Sequence, residues 1–127
     1  MTNKKITFMA SDDFEAKEAL NKLRKLYKDF GIDEADVVVA LGGDGFMLQT
    51  LKSLSTKNTS VYGMNKGTVG FLMNTFDYDN LQERIRIAKE EIVHPLKMIA
   101  TKIDGRIEEE LAINEVSILR SGAQAAK

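Results

Sequence analysis

The apolar run Val37-Val38-Val39-Ala40-Leu41 passes straight into Gly42-Gly43-Asp44-Gly45. With Ala35 and Asp36 ahead of it, the run reads as a buried strand. Phe46-Met47-Leu48-Gln49-Thr50-Leu51-Lys52-Ser53-Leu54 follows with a helical pattern. The glycine turn therefore sits at the carboxyl end of a strand, where open α/β sheets receive ligands. Glycine lets a ligand come close to the main chain. The N–H groups of a turn entering a helix favour anions. Asp44 in such a place repels phosphate unless it holds a metal ion or accepts a proton. It can also serve simply as a helix cap.

The rest of the chain repeats this alternation. Lys5-Ile6-Thr7-Phe8-Met9-Ala10 reads as a first strand. Asp12 and Glu15 then stand at capping-box spacing, which predicts a helix running to Phe30. Its apolar stripe is Ala16, Ala19, Leu20, Leu23, Leu26, Tyr27 and Phe30, with Gly31 as the C-cap signal. Val61-Tyr62-Gly63-Met64 is a third strand, and it leads into a second glycine-rich loop, Asn65-Lys66-Gly67-Thr68-Val69-Gly70. Leu81, Ile85, Ala88 and Ile92 predict one helix over 77–93. Strands alternating with helices imply an α/β fold, a Rossmann-like parallel sheet with glycine-rich strand-helix turns. Two glycine loops from neighbouring parallel strands open on one edge of that sheet and make a cleft.

From Pro95 the pattern changes. Strand-like residues 97–103, the Asp104-Gly105 turn and a returning strand predict a hairpin. Asn114-Glu115-Val116-Ser117-Ile118-Leu119-Arg120 extends it. The division expected is an α/β nucleotide-binding domain over 1–94 and the start of an antiparallel β domain over 95–127. A lone hairpin is marginal in water, so the second unit reads as one these residues begin without completing.

Composition limits the chemistry. The chain has 127 residues and a net charge of −1, which offers no general attraction to nucleic acid or an anionic membrane. It has no cysteine, which excludes disulfides, thiolate zinc sites and cysteine nucleophiles. Its single histidine, His94, precedes its single proline, so a histidine metal cluster is excluded and His94 reads as a helix end. No metal site made by protein side chains is assigned. No run approaches a membrane span, and a cytoplasmic protein is the expectation. The glycine turn is neither a Walker A loop nor a dinucleotide fingerprint. Phe71 follows the second loop as either a core ring or a stacking surface. Asn114 and Glu115, adjacent on a strand, point to opposite faces and meet one ligand only where the strand bends or ends.

Three elements taken in order resemble the NAD kinase family: Leu41-Gly42-Gly43-Asp44-Gly45, then Gly63-Met64-Asn65-Lys66-Gly67-Thr68-Val69-Gly70-Phe71-Leu72, then Asn114-Glu115 with the strand after it. The resemblance implies transfer of the ATP γ-phosphoryl group to the 2′-hydroxyl of the adenosine ribose of NAD, giving NADP. It assigns Asp44 as proton acceptor and puts Gly45 beside the nucleotide. Gly42 and Gly43 carry backbone donors for ATP phosphates. Phe71 is a wall of the adenine pocket, and Asn114 and Glu115 contact the adenosine half of NAD. Mg2+ or another divalent cation is expected with ATP, and homodimers or homotetramers as the assembly. Phe46 departs from the threonine that many members carry after the turn. Members also continue through a β-rich domain beyond the length of this chain. Two other readings compete. One is a non-catalytic nucleotide-binding module. The other is a phosphoacceptor receiver domain, with Asp12-Asp13 as its acidic pair.

Overall fold

The computed structural model describes residues 4–54, 59–65, 73–93 and 116–120. Strands β1 (Ile6–Ala10), β2 (Val37–Leu41) and β3 (Ser60–Asn65) pair in parallel and in chain order. β6 (Val116–Arg120) lies beyond β3 and parallel to it, and β5 (Lys89–Val93) pairs antiparallel with β6. The short β4 (Asn74–Thr75) pairs with the carboxyl end of β3. This is a mixed α/β sheet, parallel through β1-β2-β3 with an antiparallel pair at one side. The expected fold class is present.

Every residue of β2 is buried, and its side chains alternate between two cores. Val37, Val39 and Leu41 face a cluster that contains Ala16, Ala19 and Leu23 of α1 (Phe14–Leu26). Leu81 and Ile85 of α3 (Leu81–Ile87) join the same cluster. Val38 and Ala40 face the other side, against Met47, Leu48 and Leu51 of α2 (Asp44–Ser53). The continuous apolar run is therefore the signature of a strand covered on both faces.

These faces fix an unusual feature of the winding. β1, β2 and β3 advance across the sheet in one direction, yet α1 and α2 cover opposite faces. Two successive crossovers of the same hand would put both helices on one face. The two crossovers here have opposite hands, although nearly all such connections are right-handed.

Several boundaries differ from the sequence reading. Of the cap candidates Ser11, Asp12 and Asp13, it is Asp13 that caps α1, its Oδ1 accepting from the Ala16 N–H at 2.8 Å. Glu15 is then one position too early for a capping box. α1 ends at Leu26 and not at Phe30, because Tyr27 is extended and the Phe30 N–H donates back to Ile6 in β1 at 2.9 Å. Leu26 is consequently 59 % exposed. Gly31 caps no helix; with φ of 84° it turns the chain into β2.

The helix expected over 77–93 is α3 followed by β5. Asn80 enters α3 at φ 57°, and Ala88 leaves it extended at ψ 148°. Lys89-Glu90-Glu91 has good helix propensity, but pairing with β6 overrides it. The strand that ends the sequence reading, β6, takes β5 and β3 as neighbours. The hairpin predicted over 97–113 lies outside the described residues, as do His94 and Pro95.

Two measurements test this packing. Leu23 is fully buried, and Leu23→Ala should lower the unfolding free energy by about 2–5 kcal/mol in urea melts. Asp29 accepts from Thr7 Oγ1 at 2.6 Å, Arg24 Nε at 2.9 Å and the Gly31 N–H at 3.1 Å. Burial pushes its carboxyl upward, but these donors outweigh burial and hold it below the ordinary value of 3.8. Its stabilisation is therefore complete above the unfolded-state value and disappears as pH falls through the lower folded one. Asp29→Ala should cost about 1–3 kcal/mol at pH 7. The difference from wild type should shrink in melts recorded progressively below about pH 4.

Candidate functional site

The two helices leave the carboxyl edge of β1 and β2 toward opposite faces, and a crevice opens beside the start of α1 and the turn that precedes α2. Crevices of this kind are where open α/β sheets bind ligands. The crevice measures about 270 Å³. Asp13, Phe14 and Ala16 at the start of α1 form one wall, and Gly42 and Gly43 form another. Met64 and Asn65, at the end of β3, form the floor together with Phe76.

Backbone bonds hold these walls in place. The Ser11 N–H donates to Leu41 at 2.9 Å, and the Gly42 N–H donates to Met64 at 3.2 Å. Gly42 thus spends its donor on stitching the turn to β3. It is also crowded: a Cβ there would lie 3.1 Å from Ser11 Oγ and from Phe46 Cβ and Cδ2. Phe46, the residue that departs from the family pattern, is half-buried with its ring across Gly42 and against the α2-side core.

Gly43 and Gly45 differ from Gly42. Gly43 is the N-cap of α2 and extended; Gly45 is the second residue of the helix and exposed. A Cβ at either would meet no atom within 4 Å. The fold does not need glycine at these two positions. At an N-cap glycine is only a few tenths of a kcal/mol poorer than Ser, Asp or Asn, and within a helix it costs roughly 0.5–1 kcal/mol against alanine.

Asp44 is the first residue of α2 and half-buried. The cap is Gly43, so the capping role for Asp44 is overturned. A carboxylate in the first turn is favoured by the helix dipole. Gly42, Gly43, Asp44 and Gly45 are thus brought together in one turn. Gly42 and Gly43 line the crevice; Asp44 and Gly45 continue the turn into α2 and are not part of that lining. Phe71, Asn114 and Glu115 lie outside the described residues. Val116, which follows that Asn-Glu pair, begins β6 beside Ser60, at the amino edge of the sheet. The acidic pair of the receiver reading is used differently, since Asp13 caps α1 and accepts from Ser11 Oγ at 2.6 Å. Receiver domains also order their strands 2-1-3-4-5, whereas β1 is an edge strand among the described residues.

Sequence reasoning missed Phe14 and Phe76. Phe76 is held by its neighbours: it meets the Tyr78 ring edge-on at 4.7 Å, and Arg84 donates to the carbonyls of Thr75, Asp77 and Asp79. Tyr27 Oη donates to the Tyr78 carbonyl at 2.6 Å and ties this segment to α1. Only the exposure of Phe14 in a helical wheel could have signalled its role.

Among the described residues no three carboxylates, imidazoles or thiols gather as a metal cage, and no helix is long and apolar enough to cross a membrane.

Residues 1–92 match the family model of the ATP-NAD kinase N-terminal domain. The NAD kinase of Cereibacter sphaeroides is 52% identical over 126 residues, which is 99% of this chain and 50% of that protein. The NAD kinase of Hyphomonas neptunium is 50% identical over 127 residues, all of this chain and 50% of that protein. That of Caulobacter vibrioides is 48% identical over 123 residues, 97% of this chain and 47% of that protein. The chain spans about half the length of these curated relatives. A glycine turn at a sheet crevice, within a sequence matched along nearly its whole length, leads to one assignment: the chain belongs to the NAD kinase family.

Proposed function

We propose that the Gly43-Asp44-Gly45 turn is the phosphoryl-transfer locus of an NAD kinase, which passes the γ-phosphoryl group of ATP to the 2′-hydroxyl of the adenosine ribose of NAD and yields NADP. The observation that carries this reading is the pair of glycines the fold does not require. Gly43 and Gly45 leave open space over the first turn of α2, where N–H groups have no intrahelical acceptor. Phosphate oxygens can approach the main chain there as they could not past a side chain. Phosphoryl transfer passes through a loose transition state, so positioning and charge neutralisation dominate.

Asp44 is the carboxylate the turn offers. Its role is to accept the ribose hydroxyl proton as the bond to phosphorus forms, a contribution of about 10²–10⁴-fold for general bases. Mg2+ in kinases is commonly held by one or two carboxylates together with substrate phosphates. A site with a single carboxylate at the turn suits a cation that arrives with ATP, and Asp44 is the residue that would meet it. The cation would neutralise phosphate charge. Phe71, Asn114 and Glu115 are assigned to the adenosine half of NAD by the family resemblance alone. A cytoplasmic, homo-oligomeric enzyme is the setting that the same resemblance supplies.

Incubation with ATP, Mg2+ and NAD, read out by an NADP-specific dehydrogenase, tests the activity. Asp44→Asn should lower turnover by about 10²–10⁴-fold while NAD affinity by calorimetry stays within about twofold. Nucleotide binding without turnover in the wild-type chain would instead describe a binding module. Gly45→Ala separates fold from function. It should raise unfolding free energy by roughly 0.5–1 kcal/mol, since alanine favours the helix, and at the same time weaken ATP binding. A variant that gains stability and keeps its ATP affinity would remove Gly45 from the site.

A further inference from the structure

Phe14 is 75 % exposed, more than any other large apolar side chain among the described residues. Packing does not explain it. Ala16, Ala19 and Leu23 carry the buried stripe of α1, and Phe14 stands roughly 200° round the helix from Ala16. A single exposed apolar residue is ordinary on a protein surface, but Phe14 lines the crevice that holds Gly42 and Gly43. Phe76 lines the same crevice from the segment fixed by Arg84 and Tyr27. The crevice is therefore aromatic toward the start of α1 and glycine-lined toward the start of α2. Asp13 and Glu15, on either side of Phe14 in the chain, also line the crevice. Acidic residues at that end disfavour a phosphate chain there, whereas an uncharged flat ring is not repelled.

We propose that Phe14, with Phe76, holds the purine base of the phosphate donor while the triphosphate runs toward Gly43. This rests on the phosphoryl-transfer reading of the turn and adds a specificity-determining residue for the donor. Aromatic faces suit any nucleobase, so Phe14 selects nucleotides over base-free phosphate donors without separating one purine from another. At about 270 Å³ the crevice lies just below the range of about 300–1,000 Å³ usual for sites that enclose a whole ligand. That suits a base and its adjoining sugar, with the phosphates extending over the open turn.

Calorimetric titration of the 127-residue chain with ATP, inorganic tripolyphosphate and NAD, each with Mg2+, tests this. Wild type should bind ATP more tightly than tripolyphosphate. Phe14→Ala should raise the ATP Kd by about 5–150-fold, the range for loss of base stacking. It should leave tripolyphosphate binding, NAD binding and melting temperature unchanged, and Phe14→Trp should restore ATP affinity. Unaltered ATP affinity in Phe14→Ala overturns the proposal, as does equal weakening of ATP and tripolyphosphate. Weakened NAD binding with ATP unchanged also overturns it, because the ring would then serve the acceptor. If wild type binds tripolyphosphate as tightly as ATP, the proposal fails while the phosphate role of the turn stands. If it binds neither, both fail.

Discussion

The site depends on one constraint, the burial of β2 on both faces. A strand with Val37, Val39 and Leu41 toward one helix layer and Val38 and Ala40 toward the other demands cover on each side. Here the cover comes from the helices on either side of β2 in the chain, α1 before it and α2 after it. In most doubly wound sheets, adjacent loops diverge where strand order reverses. In this chain strand order does not reverse between β1 and β3; the hand of the crossover changes instead. The result at the carboxyl edge is the same: two chain segments part to opposite faces, and a crevice opens beside the Gly42-Gly43 turn.

The glycines divide by cause. Gly42 is needed by the protein itself, wedged between Ser11 and Phe46 with its N–H given to β3. Gly43 and Gly45 are not needed by the protein, and both sit where another residue would strengthen α2. Stability given up at a specific place is the pattern on which the proposed phosphoryl-transfer role of the turn rests. Phe46 fits the same division. Its bulk is absorbed by the core beneath Gly42, so the departure from threonine leaves the turn intact.

Much of this was legible in the sequence. The run from Val37 to Leu41 announced a strand covered on both sides, and the glycines around Asp44 announced a turn from that strand into a helix. The α1 stripe was legible because burial of Ala16, Ala19 and Leu23 follows the helical period. The split of 77–93 into α3 and β5 was not, since Lys89, Glu90 and Glu91 favour a helix locally and only the partner strand β6 makes them extended. The opposite hands of the crossovers were equally hidden. Hydrophobic period tells that a face is buried but not which layer of the sheet receives it. Phe14 and Phe76, 62 positions apart, line one crevice only in the folded chain.

Asn74 shows how the sheet is held just beneath the crevice. Its buried Nδ2 donates to the Gly63 carbonyl at 2.9 Å and to the Leu119 carbonyl at 3.1 Å. The strands it joins, β3 and β6, share their one described register pair lower down, at Val61 and Ile118. Above that point β3 takes β4 as its neighbour, so the sheet forks. The Asn74 amide spans the fork and ties the two branches together. The floor of the crevice at Met64 and Asn65 belongs to one of those branches, so the width of the site is set in part by a side chain that never faces it.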